Sequence, residues 1–168
     1  VHRVDLKSKK IVQNIKVGNR PRRFSLSRDG KELWVSHELG SSVSVIDTST
    51  QQVKATVPFQ MSGMRASDIT PVGLVHSPDG RTVWVSLGRA NHVAEVDAVS
   101  KQVRRTVLAG KRAWGLTLSP DENRQARAKA GGNGLQTPLV RQRQAPTMPL
   151  KGANLNRTVC TADAKAPV

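Results

Sequence analysis

The chain has 168 residues and a formal net charge of +15, with 27 Lys and Arg against 12 Asp and Glu. That is enough chain for one domain with a real core, since at about 150 residues roughly two thirds of the surface is buried on folding. A single cysteine, Cys160, rules out an internal disulfide, a Cys-x-x-Cys zinc pair and a Cys-x-x-Cys-His haem attachment, and no apolar run approaches the 18 or so residues of a membrane-spanning helix.

In chain order, "VHRVD" (1–5) is followed by the alternating segment "KKIVQNIKV", and then by "RPRRFSLSRDGKELWVS" (20–36). The same three forms return as "VSVID" (43–47), "QQVKATVPF" and "TPVGLVHSPDGRTVWVS" (70–86), and again as "VAEVD" (93–97), "KQVRRTVLA" and "RAWGLTLSPDE" (112–122). The strand aspartates Asp5, Asp47 and Asp97 lie 42 and 50 apart, and the turn aspartates Asp29, Asp79 and Asp121 lie 50 and 42 apart. The period is therefore 42, with one insertion of eight residues between Val57 and Pro71, "PFQMSGMRASDIT".

Within each unit the apolar positions alternate and favour Val, Ile and Leu, as half-buried strands do, and no segment sustains a 3.6-residue spacing. Ser77-Pro78-Asp79-Gly80 has turn chemistry: Pro presets φ, Asp bonds back to the backbone and Gly accepts positive φ. Four short strands per unit of about 40 residues is the pattern of a propeller blade. The expected fold is all-β, a partial β-propeller of four-stranded blades, with innermost strands at Pro21–Ser27, Pro71–Ser77 and Ala113–Ser119. Trp34 and Trp84 stand at equivalent places on the second strands, where blade-to-blade packing is expected of them.

The pattern stops after Glu122. A second strand with Trp or Tyr near Ala126 is expected and not found, so the domain is assigned to residues 1–122 and residues 123–168 to a basic, low-complexity, disordered tail. That tail holds 8 Lys and Arg against 1 acidic residue, without interleaved aromatics, so the charge does not specify nucleic acid. Val1 enters in mid-blade without an initiating Met, which reads as a gene fragment or truncated product whose uncovered blade faces favour oligomerisation or poor solubility.

No catalytic constellation is evident. His2, His37, His76 and His92 share no ligand spacing, and the repeated aspartates read as scaffold because they repeat. The informative polar groups precede the innermost strands, where connections between blades open near a central channel. Arg20, Arg22 and Arg23 lie there in the first unit, Lys111 and Arg112 in the third, and Arg65, with Met61, Met64 and Asp68, on the insertion of the second. Guanidinium and ammonium groups around a channel would bind a carboxylate, a phosphate or an acidic protein surface.

The repeat resembles the Tyr-Val-Thr-Asn-type (YVTN) β-propeller proteins. Residues 66–122, with "DITPVGL" and "SLGRANHVAEVD", are similar to the propeller proteins associated with pyrroloquinoline-quinone (PQQ)-dependent alcohol catabolism. The resemblance implies a ring of about seven blades, of which this chain would supply barely three, in a periplasmic protein without a cofactor of its own. Its partner would be a protein of a quinoprotein dehydrogenase system or a small anionic ligand. Two other roles stay open: a propeller enzyme such as a lactonase or metal-dependent reductase, and a cell-surface repeat protein.

Overall fold

A computed structural model describes residues 1–118, together with the backbone of two further strands, Gln125–Ala130 and Leu139–Arg141. Strands β1 (His2–Val4) and β2 (Ile11–Asn14) pair as a two-stranded sheet. Strands β3 (Pro21–Leu26), β4 (Glu32–His37), β5 (Ser42–Asp47) and β6 (Gln52–Pro58) form an antiparallel meander in sequence order. Strands β7 (Pro71–His76), β8 (Thr82–Leu87), β9 (His92–Asp97) and β10 (Val103–Leu108) repeat it. The inner strands match the expected positions to within a residue.

The insertion contributes one helical turn, α1 (Ala66–Ile69), whose Ile69 is buried. A third sheet begins with β11 (Ala113–Leu118), which pairs with β12 (Gln125–Ala130), and β12 pairs in turn with β13 (Leu139–Arg141). Strand pairing continues past Glu122, and because Thr117 faces Arg127 as Ser25 faces Trp34 and Val75 faces Trp84, Arg127 rather than Ala126 takes the tryptophan's place in the register. Gln125–Ala130 alternates polar residues with alanine, and without a β-branched or aromatic residue that alternation is a weak strand signal. The rest of the predicted tail lies outside the described residues.

The repeat is written in the backbone as well as in the side chains. Lys9, Gln51 and Lys101 hold φ of 55°, 59° and 62°, and Arg20, Thr70 and Arg112 hold 57°, 47° and 53°. Each trio occupies one position of the repeat: the first closes the turn between third and fourth strands, and the second directly precedes an inner strand. Asp47 accepts from the backbone N–H groups of Ser49 and Thr50 at 2.9 and 3.0 Å, and Asp97 from those of Val99 and Ser100 at 2.8 and 2.7 Å. The recurring strand aspartates are thus caps for the turn that follows them. These bonds hold the carboxyls of both at about 2, for Asp47 chiefly through the Ser49 hydroxyl and for Asp97 chiefly through the Ser100 amide.

The core lies in the seams between sheets. One cluster joins Trp34, Val43 and Val45 of the first meander to Val83, Val85 and Val96 of the second. Another joins Trp84 and Val93 to Ala113, with Leu116 and Leu118 packed against it from the third sheet. Both tryptophans are fully buried, as expected of blade-to-blade packing. β3 and β7 each carry a register shift, and a hydroxyl from the second strand satisfies the displaced amide: Ser36 Oγ accepts from Arg23 N at 3.2 Å and Ser86 Oγ from Gly73 N at 2.7 Å. Ser36 Oγ also donates across the seam to the Val72 carbonyl at 2.7 Å, tying first meander to second.

One seam contains a titrating group. His76 meets Trp34 edge-on at 5.6 Å between ring centroids, and its Nδ1 lies 2.7 Å from Ser25 Oγ. Burial holds the imidazole down to about 4, against a partial upward pull from Glu32. Because the folded protein keeps this histidine neutral, the unfolded chain binds the extra proton between pH 6.5 and about 4. Stability should be full above 6.5 and fall as the pH drops through that window. His76→Leu, the residue found at this position as Leu26 and Leu118, should flatten the slope in urea unfolding measured at several pH values. An unchanged slope would assign it to other groups.

Candidate functional site

The fourth-to-first connections of the blades and their second-to-third turns leave the sheets by the same end. That end therefore collects the residues preceding β3, β7 and β11, with Arg20, Arg65, Lys111 and Arg112 among them, and the first residues of those strands, with Arg22 and Arg23. β3, β7 and β11 are edge strands of their sheets and lie beside one another. The end of this inner row is the candidate site.

Arg22 is its centre. Its Nη1 donates to Glu38 Oε2 at 2.6 Å, and Arg20 Nε reaches the same oxygen at 3.3 Å. Glu38 follows β4 directly and its side chain is only 8 % exposed, whereas those of Arg20 and Arg22 are 54 % and 40 % exposed. The carboxylate acts as a floor that orients two guanidinium groups without covering them. The Arg22 guanidinium lies 5.6 Å from the Trp114 ring centre, and that of Arg112 lies 6.0 Å from the same ring. Two cations on one indole are attracted by its π face, and Arg is well suited to such stacking because its guanidinium is planar and weakly hydrated. Arg112 is fixed from behind: its backbone N–H donates to Asn91 Oδ1 at 2.8 Å.

The remaining predicted residues occupy the same end with exposed side chains. Arg23 is anchored through its amide to Ser36. Arg65 stands at the start of α1, where its carbonyl accepts from Asp68 N at 2.9 Å, and Lys111 follows Gly110 on the connection into β11. The structure thus brings Arg20, Arg22 and Arg112 together around Glu38 and Trp114, and leaves Arg23, Arg65 and Lys111 around them without an ion pair of their own among the described residues. Sequence reasoning missed Glu38 and Trp114. The signal was present: Glu38 stands where the next repeat has Gly88, and Trp114 where the earlier repeats have Arg22 and Val72.

Among the described residues no three His, Cys, Asp or Glu side chains gather as a metal site. His37 is buried, with Nε2 accepting from Gly18 N at 3.2 Å and Nδ1 3.0 Å from Ser42 Oγ, and burial lowers its pKa.

Sequential meanders stacked face to face, with inner edges side by side, are matched by solved structures. Kuenenia stuttgartiensis hydrazine synthase is similar over 77% of this chain, with a TM-score of 0.64 and 24% identity. The β-propeller domain of Myceliophteria thermophila Cps50 (Swd1) is similar over 78%, with a TM-score of 0.62 and 21% identity. The fold is a β-propeller. At these identities the likeness concerns the fold alone, and the chain spans 35% and 38% of the two matched structures. No family model matches the propeller's sequence, and no curated protein does. In propeller terms, β3, β7 and β11 form the row of innermost strands, and the Arg22, Arg112 and Trp114 cluster lies at one end of that row.

Proposed function

We propose that this chain forms part of a non-catalytic binding propeller that takes an anionic group at its channel mouth. The observation that carries the reading is the convergence of Arg22 and Arg112, from two blades, on Trp114, with Glu38 holding Arg22 in place. The pair presents oriented donors from separate strands, and Arg23, Lys111 and Arg65 add positive potential around them. A carboxylate or phosphate matches such a fork bidentately. The resemblance of residues 66–122 to the PQQ-associated propellers supports a more particular role: a periplasmic scaffold whose acidic partner belongs to a quinoprotein alcohol dehydrogenase system.

The test is capture of the chain on an immobilised quinoprotein alcohol dehydrogenase, with Arg22→Ala/Arg112→Ala as the variant. Retention should fall at least tenfold in the variant and weaken with added salt, since exposed charges are screened over about 8–10 Å at physiological ionic strength. Capture that is equal for both proteins would remove the channel mouth from the reading. No capture of either would remove the dehydrogenase and leave the anion site to be tested with citrate or phosphate.

A further inference from the structure

A propeller repeats what the scaffold needs, so a local cluster of departures from the repeat points to something besides the scaffold. Three departures meet at the seam between the first and second four-stranded blades. Arg28 stands where the next repeat has Pro78, Glu32 where it has Thr82, and His76 where the flanking repeats have Leu26 and Leu118. All three border a cavity of about 850 Å³, within the range of small-molecule sites. It opens among the first-to-second and third-to-fourth turns, at the end of the blades opposite the channel-mouth arginines.

The cavity's acidic groups are already engaged. Glu32 accepts from Lys101 Nζ at 2.6 and 2.8 Å, from Lys54 Nζ at 2.7 Å and from Trp34 Nε1 at 2.9 Å. Asp29 is tied to Ser27 Oγ at 2.7 Å and to Lys31 N at 3.1 Å, and Asp79, the third carboxylate of the lining, to Ser77 Oγ at 2.5 Å and to Arg81 N at 3.0 Å. Lys101 is engaged too, because it also donates to the Ala98 carbonyl and sits 4.9 Å from the centre of the Trp34 ring. The donors left over are cationic. Arg28 donates through Nη1 to the Pro78 carbonyl at 2.7 Å, which leaves most of its five N–H groups, and Lys54 keeps two of three. Beside them Ala55, Ala98 and Val99 form an apolar wall, on which Val99 is 83% exposed.

The geometry points to a second ligand site here, one that takes a small organic carboxylate with a short aliphatic body. The carboxylate pairs with Arg28 and Lys54, and the aliphatic body covers Val99 and its alanine neighbours. An anion without a carbon chain would leave the wall exposed, and a neutral amide would leave the Arg28 fork without its charged partner.

Amide-resolved NMR titration of the whole chain tests this, with hexanoate as probe and hexanamide and inorganic phosphate as controls. Hexanoate should shift the Arg28, Lys54 and Val99 amides saturably, and both controls should bind at least tenfold more weakly. Arg28→Gln/Lys54→Gln should weaken hexanoate at least tenfold, while Arg22→Ala/Arg112→Ala, at the other end, should leave it unchanged. Arg28→Pro, which restores the neighbouring repeat's residue, supplies a variant suited to the turn and should also weaken it. Absent or unsaturable shifts, equal binding of hexanamide or phosphate, or undiminished hexanoate binding in the folded Arg28→Pro chain would each overturn the assignment. None of these results bears on the channel mouth.

Discussion

Trp34→Ala should lower the free energy of unfolding by about 3–5 kcal/mol, the range for truncating a large buried aromatic. Trp34 is fully buried in the seam between the first two blades. Its ring makes a T-shaped contact with His76 and lies against the Lys101 ammonium, and its Nε1 donates to Glu32. Truncation would open a cavity and remove one donor from a carboxylate that is itself largely buried. A conservative pair separates these effects. Trp34→Phe keeps most of the packing but loses the bond to Glu32, worth about 1.5–3 kcal/mol when the partner is charged. Trp84 occupies the equivalent position, yet its Nε1 has no partner among the described residues, so Trp84→Phe should cost less than Trp34→Phe. Urea unfolding followed by far-ultraviolet circular dichroism measures all three. Equal losses for the two Phe variants would show that the Glu32 bond contributes nothing.

Gly73→Ala should disturb fold and site together. A Cβ at Gly73 would lie 2.9 Å from Ser86 Oγ and 3.1 Å from both Leu116 N and Trp114 O. Two of these neighbours are backbone atoms of the third blade's inner strand, and that strand cannot give way without loosening the seam. The third is the hydroxyl that satisfies the Gly73 amide itself. Overpacking of this kind costs about 1–3 kcal/mol, and relief would come by moving β11 outward. Because β11 carries Trp114, the contacts of that ring with Arg22 and Arg112 should loosen as well. Anion binding at the channel mouth should therefore weaken several-fold under conditions where the variant is still folded. A variant that is destabilised but binds citrate as tightly as the parent chain would show that Trp114 does not depend on this contact.

Much of the propeller was legible because its information is local. Alternation, turn residues and a 42-residue period specify strands, reversals and the insertion, and these depend on neighbours a few residues apart. The candidate cations were legible for a related reason: knowing which connections leave by which end is enough to gather Arg20, Arg22, Arg23, Arg65, Lys111 and Arg112 at one end. β12 was not legible, since Gln125–Ala130 alternates polar residues only with alanine and carries no β-branched or aromatic residue. Glu38 was not legible because its pairing with Arg22 crosses a hairpin of one blade at a position the repeat does not mark, and Trp114 and the cavity beside Arg28 were not legible because each lies in a contact between residues of different blades.

The sequence alone therefore determines the repeat, the strand order within each blade and the excess of positive charge, all of which follow from short-range chemistry along the chain. Only the tertiary structure decides which of the repeated positions meet. The seam between blades brings Ser25 to His76 and Glu32 to Lys101, residues 51 and 69 apart in the chain. The inner row brings Arg22 to Trp114. The rotation and spacing of one blade on the next set those contacts, through packing of the buried Trp34 and Trp84 faces, and no period read along a single strand contains that information.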